Sequence, residues 1–266
     1  AHLFVPTPYR RGDGRQCRRV GRAIACEFAR HGWNVGLVAR GEVGLAATIH
    51  DVRRLGGNPI AFAADVADAQ AMEEVADSVA EACGGIDVWV NNAMVTVYAP
   101  VQETSAEEFQ RVTEVTYLGQ VHGTLAALRH MVPADRGTIV HIGSALAYRS
   151  IPPPGDLLRA KAAVRGFMDP CARNCCTTAA GCAWTMVQLP AVNTPQFDWA
   201  RSRPPQARTR PPIYQPEAIA RHVYRAAHDA PRELWIGGSA WKAIIGNMII
   251  PGWIDGYLAR HGYRGR

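Results

Sequence analysis

The 266-residue chain has no apolar run of the roughly 18 residues that a bilayer-spanning helix requires, so no membrane span is expected. Residues 1–10 lack the basic-then-apolar order of a secretory signal, and a cytoplasmic location is expected. No internal repeat is visible, which excludes a solenoid or propeller. Only 20% of residues are charged while 48% are hydrophobic, which excludes a disordered chain. The chain has seven Cys, and Cys171, Cys175, Cys176 and Cys182 lie close together. No His stands at ligand spacing beside them, so no metal site is expected. Cys26 and Cys83 read as ordinary reduced thiols. The net charge is +6, but no basic stripe interleaved with aromatics accompanies it. Its arginines are scattered, apart from runs near the N-terminus and in residues 201–212. Nucleic-acid binding is therefore not expected.

What is present is an alternation of two periodicities. Residues 41–55 and 68–83 carry apolar side chains at helical spacing, the second with Met72, Val75, Ala76 and Val79 on one face. Residues 105–131 read as one long helix, with Ser105 and Glu108 as a capping box. Residues 216–228 read as a helix with Pro near its start. Between them lie short apolar runs at 59–66, 86–90, 138–142, 183–189 and 233–236. Strands separated by helices of about 10–15 residues imply parallel βαβ units. Runs such as Ile139-Val140-His141-Ile142 suit strands covered on both faces. The expected fold is α/β, one doubly wound Rossmann-type domain with a mostly parallel sheet flanked by helices. Residues 1–240 form its body, and residues 241–266 form an apolar extension packed on it.

A doubly wound sheet binds ligands beyond the carboxyl ends of its strands. Arg40, Asp65, Asn91, Ser144 and Thr194 occupy such positions. Arg40 alone reads equally as a solvated residue, and Asp65 as a helix cap. Met94, Val95, Tyr98, Tyr148, Phe197 and Trp199 suit an apolar pocket or the core. The segment 201–212 is long and structureless, as substrate lids often are.

Several motifs occur in a specific order. Val20-Gly21-Arg22-Ala23-Ile24-Ala25 opens a helix, Asn91-Asn92-Ala93 follows one strand, and Ser144 follows another. Lys161 lies 17 residues beyond Ser144, and Pro190-Ala191-Val192-Asn193-Thr194 follows the next strand. From about Val20 to the last strand this set resembles the short-chain dehydrogenase/reductase family. The resemblance implies an NADP-dependent oxidoreductase that moves a hydride between nicotinamide and a small carbonyl or alcohol substrate. It implies a homodimer or homotetramer.

The resemblance also assigns residues. Gly14 and Gly21 fall in the pyrophosphate turn. Arg40 takes the position that selects the cofactor, where Arg suits the 2′-phosphate of NADP and an acid would suit NAD. Asp65 and Val66 lie beside the adenine. Asn91 and Ala93 line the nicotinamide ribose, and Pro190, Val192 and Thr194 reach the carboxamide. Ser144 orients the substrate carbonyl. Lys161 holds the ribose and lowers the pKa of a Tyr phenol that transfers the proton.

Three departures stand out. The Tyr should fall one helical turn before Lys161, but that residue is Leu157. Thr116 stands where the family carries a supporting Asn. The turn before Gly21 has Arg15 and Arg19 at glycine positions. Thr116 apart, the departures from the family pattern cluster in three segments, roughly residues 1–19, 152–160 and 170–184, whereas point drift would scatter them. Reading codons 11–19 from the second base permits a strand and a family glycine turn. The same shift at Leu157-Leu158 permits Tyr-Cys. A third-base shift makes Asn174-Cys175 and Cys175-Cys176 both Leu. The clustering therefore fits short frameshifted stretches over a dehydrogenase ancestor. Taken literally, the chain fits a second reading, a non-catalytic protein that keeps the fold for binding or interaction.

Overall fold

The computed structural model describes residues 2–6, 20–148, 155–177, 181–194, 201–202, 212–249 and 252. The strands are β1 (His2–Pro6), β2 (Asn34–Ala39), β3 (Asn58–Ala63), β4 (Val88–Asn91), β5 (Val97–Tyr98), β6 (Gly137–Ser144), β7 (Cys182–Leu189), β8 (Arg201–Ser202) and β9 (Glu233–Trp235). The helices are α1 (Val20–Arg30), α2 (Glu42–Arg54), α3 (Ala69–Cys83), α4 (Ala106–Thr113), α5 (Gly119–Met131), α6 (Gly155–Thr177), α7 (Pro216–Asp229) and α8 (Gly238–Ile249).

Seven strands form one parallel sheet in the order β3-β2-β1-β4-β6-β7-β9. The order reverses between β1 and β4, the switch point where such sheets bind ligands. Every residue of β4 is buried, as are all of β2 after Asn34. That is why β4 falls in a segment that reads as an apolar run. One face is covered by α1, α2 and α7, whose Ile24, Phe28, Leu45, Val52, Ile219 and Val223 pack on it. The opposite face is covered by α3, α5 and α6 through Met72, Val75, Val79, Met131, Val164 and Met168. The doubly wound α/β fold expected from the periodicities is the one present.

Local signals set the helix ends. Asp68 caps α3 by accepting from the Ala71 N–H, and Gly84 closes it at φ 75°. Asp65 is therefore not the cap of that helix. Ser105 and Glu108 form a reciprocal capping box at α4.

The structure departs from the sequence reading at two places. The single helix expected over 105–131 is split by a π-turn at Glu114–Leu118. A π-turn inserts one residue into the helix ladder, and apolar periodicity over a long window does not register it. The first strand lies at His2–Pro6, ahead of the arginine run, and pairs with both β2 and β4. Gly14 and the rest of the glycine turn before Val20 lie outside the described residues.

Candidate active site

The carboxyl ends of β2, β3, β4, β6 and β7 bring most of the expected site residues to one edge of the sheet. Arg40 follows β2 with its side chain 43% exposed. Asp65 and Val66 follow β3, and Val66 is buried. Gly119 explains how closely they approach the π-turn: a Cβ there would stand 2.6 Å from Val66 Cγ2. Gly21 is buried in the first turn of α1.

Asp65 is held from several sides. Its Oδ1 accepts from the Ala67 N–H at 3.1 Å, and its Oδ2 accepts from Arg111 of α4. Arg40 Nη1 lies 3.8 Å from the same Oδ2. Burial pushes the carboxyl pKa up, but the Ala67 bond and the two guanidiniums outweigh it and lower the pKa.

Asn91 ends β4 and is buried. Its side chain is committed to packing: Oδ1 accepts from Trp89 Nε1 at 2.9 Å, and Nδ2 donates to Thr124 Oγ1 at 2.9 Å. Thr116 is buried in the π-turn. Its hydroxyl donates to the Val95 C=O at 3.0 Å and accepts from the Val95 N–H at 3.1 Å. One Thr side chain thus ties the π-turn to the loop after β4.

Ser144 is the last residue of β6, and Lys161 lies in α6. Lys161 is 2% exposed, and its Nζ donates to the Ile142 C=O at 2.5 Å. Burial favours the neutral amine and lowers its pKa to about 8. Leu157 occupies α6 one helical turn earlier. Next to Ile142, His141 is fully buried, and desolvation together with the Lys161 charge lowers its pKa to about 3. It bonds Gln120 Oε1 through Nδ1 at 2.9 Å and Thr124 Oγ1 through Nε2 at 3.3 Å.

Beyond β7, Tyr214 threads between the ends of the Pro190–Thr194 loop. Its N–H donates to the Ala191 C=O at 2.9 Å, and its C=O accepts from the Asn193 N–H at 2.8 Å. Val192 bridges to Tyr214, and the Thr194 N–H turns back to the Val192 C=O at 2.8 Å.

This end of the seven-stranded parallel sheet carries Ser144 and an exposed Arg40, with Lys161 bonded to the Ile142 carbonyl of the same strand as Ser144. Residues 16–203 match the family model described as short chain dehydrogenase. The chain belongs to the short-chain dehydrogenase family. It is 28% identical over 229 residues to the "Uncharacterized oxidoreductase YxnA" of Bacillus subtilis, covering 85% of this chain and 64% of that protein. The chain thus spans less than two thirds of the length of that relative. It is 30% identical over 235 residues to the "Short-chain dehydrogenase/reductase 3" of Homo sapiens, covering 88% of this chain and 76% of the relative. Among solved structures, an alcohol dehydrogenase from Thermococcus sibiricus complexed with 5-hydroxy-NADP superposes with a TM-score of 0.71 at 25% identity. That match covers 88% of this chain and 95% of the other. A short-chain dehydrogenase from Streptomyces avermitilis shares the fold, with a TM-score of 0.76 at 22% identity over 97% and 95% of the two chains. The family's members are oxidoreductases that use a nicotinamide dinucleotide.

Two parts of this region carry no local sequence signal: the partner of Tyr148, a residue the sequence suggests only for an apolar pocket or the core, and Arg111. Tyr148, four residues past Ser144, donates its phenol to the Glu233 carboxylate, 2.6 Å from each oxygen. Gln188 Nε2 donates to the same carboxylate at 2.6 Å, and the Arg165 guanidinium lies 4.1 Å over the Tyr148 ring. Burial and Glu233 raise the Tyr148 pKa. The second part is Arg111. Each contact joins segments far apart in sequence, 85 residues for Tyr148–Glu233 and 46 for Asp65–Arg111, so local patterning is silent on both.

Proposed function

We propose that this chain binds NADP(H) across the strand ends and that its parent enzyme interconverts a small carbonyl and its alcohol. The observation that carries the reading is Arg40: a half-exposed guanidinium just past β2, 3.8 Å from its acid, offers a planar fork to a 2′-phosphate. The coenzyme fits the described residues. Asp65 and Val66 flank the adenosine side, while the Asn91–Ala93 backbone, Lys161, Pro190, Val192 and Thr194 flank the nicotinamide side. The NADP analogue bound to the Thermococcus sibiricus enzyme supports the same choice.

When bound, NADPH supplies the hydride. Ser144 donates its hydroxyl to the carbonyl oxygen and fixes the reacting face. Lys161, with a pKa of about 8, remains mostly cationic at pH 7 and favours negative charge at that oxygen. The proton is the weak point. Leu157 is hydrocarbon and cannot give one. Tyr148 does not replace it, because Glu233 holds its hydroxyl and raises its pKa, the wrong direction for acid–base work near neutrality. The literal chain is therefore an impaired enzyme. Leu157 also favours a second reading, a coenzyme-binding protein of this fold without turnover. The family resemblance further suggests a cytoplasmic protein that works as a homodimer or homotetramer.

Titrating the purified protein with NADPH and NADH tests the binding step. A panel of aliphatic and aromatic aldehydes and ketones then tests turnover in the wild type and in Leu157→Tyr. The substitution should raise NADPH oxidation by about 10²- to 10⁴-fold. Absence of NADP(H) binding would overturn the oxidoreductase reading. Equal turnover by both proteins would overturn the role given to Leu157.

A further inference from the structure

Asp65 stands between two guanidiniums from different elements. Arg111 of α4 donates directly to its Oδ2, and the Ala67 N–H takes its Oδ1. Arg40 stops 3.8 Å from that Oδ2, an ion-pair contact beyond hydrogen-bond length. Arg111 also leans toward Glu114, 3.6 Å away on the following π-turn. It is thus the cation committed to the local acids, and Arg40 is the one held back. If Arg111 were missing, the Asp65 charge would face Arg40 alone, and a guanidinium closes readily onto a carboxylate in a two-pronged pair. The uncovered carboxylate would also repel a phosphate brought to Arg40.

We propose that Arg111 is a positioning residue for coenzyme choice: by occupying the Asp65 carboxylate it leaves the Arg40 fork available to the 2′-phosphate of NADP. The inference rests on the NADP reading above. It places a specificity determinant on α4, a helix that the strand-end pattern does not point to.

The test is a double-mutant cycle on coenzyme binding, read by titration of NADPH and NADH. Arg111→Met should raise the NADPH Kd about tenfold, within the range of ordinary site-to-site couplings, and change the NADH Kd by less than about twofold. In a Asp65→Asn background the same substitution should have almost no effect, because the acid through which Arg111 acts is gone. Equal weakening of both coenzymes would mean general disruption and overturn the proposal. A tenfold NADPH loss that persists in the Asp65→Asn background would mean that Arg111 touches the phosphate itself, and would overturn it too. Arg111→Lys keeps the charge and should retain most of the NADPH affinity.

A coenzyme-free measurement separates this inference from the reading it rests on. The Arg40 side-chain Nε–H signal in a nitrogen-15 NMR spectrum should shift in Arg111→Met and exchange more slowly with solvent as Arg40 closes onto Asp65. An unmoved Arg40 signal overturns the positioning role whatever the coenzyme preference. A wild type that prefers NADH, with the Arg40 signal moving as expected, overturns the NADP reading instead.

Discussion

Replacing Lys161 with Met should change how stability depends on alkaline pH. Lys161 is buried to 2% exposure, and its ammonium has the Ile142 C=O as acceptor. Desolvation lowers its pKa from 10.5 to about 8. The folded state therefore releases this proton about 2.5 pH units before the unfolded chain does. Below pH 8 both states carry the charge, and the fold bears its burial at about 3 kcal/mol, from roughly 1.36 kcal/mol per pKa unit. Between pH 8 and 10.5 the unfolded chain binds more protons, so stability rises with pH. Integrating the linkage from pH 8 to 10 gives a gain of about 2 kcal/mol from this group alone.

Other groups oppose it. Burial raises the pKa values of Cys26, Cys83 and Tyr148, so these groups lose stability as pH rises through their unfolded values. Subtracting Lys161→Met from the wild type cancels these terms. Urea unfolding of both proteins without coenzyme, at half-unit steps from pH 7.5 to 10, reads the difference directly. The Met variant should be the more stable protein at pH 7.5, and its advantage should shrink by about 2 kcal/mol by pH 10. Parallel curves would refute the argument that Lys161 is a desolvated cation.

The remaining expectations are simpler. Asn91→Ala should lower stability by about 2–4 kcal/mol, because it removes the oxygen that accepts from the buried Trp89 Nε1–H and the amide that donates to Thr124. A loss below about 1 kcal/mol in urea would show that the network relaxes around the gap. Pro170 lies inside α6, where it removes a backbone donor, so Pro170→Ala should stabilise the protein by up to about 3 kcal/mol. A melting temperature that stays fixed or falls would count against a strained helix.

The fold was legible because its signals are local. β4 and β6 read as apolar runs since both faces of the sheet are covered, and capping at Ser105 rests on residues three apart. The site was legible as positions, because a parallel sheet presents strand ends in a fixed order. What those positions do was less so. Asn91 has the expected place, yet its amide is turned into the packing against α5. The Lys161 pKa depends on burial by elements distant in sequence. The split at Glu114–Leu118 depends on Thr116 finding both backbone groups of Val95, a pairing across 21 residues. Spacing rules see neighbours along the chain, and these features are made by neighbours in space.

The misfit stretches are not equally at odds with the structure, and this narrows where a frameshift can lie. Cys182 and Trp184 close the third stretch, yet both are buried in β7 at 8% and 6% exposure. Trp184 stacks on His141 with ring planes 9° apart and centroids 6.0 Å apart. As written, these residues complete the core beneath Lys161. Pro170 is the opposite case, since a helix interior tolerates proline poorly. Leu157 differs in kind: leucine suits a helix, and its conflict is with the proton donor that the proposed function would need there. If the coding DNA carries shifted frames, the third should therefore begin near codon 170 and return to the literal frame before codon 182. Sequencing that restores the frame only after codon 184 would mean that the burial of Trp184 is accidental, and DNA with no alternative frame at codons 157 and 170 would make both residues true divergence.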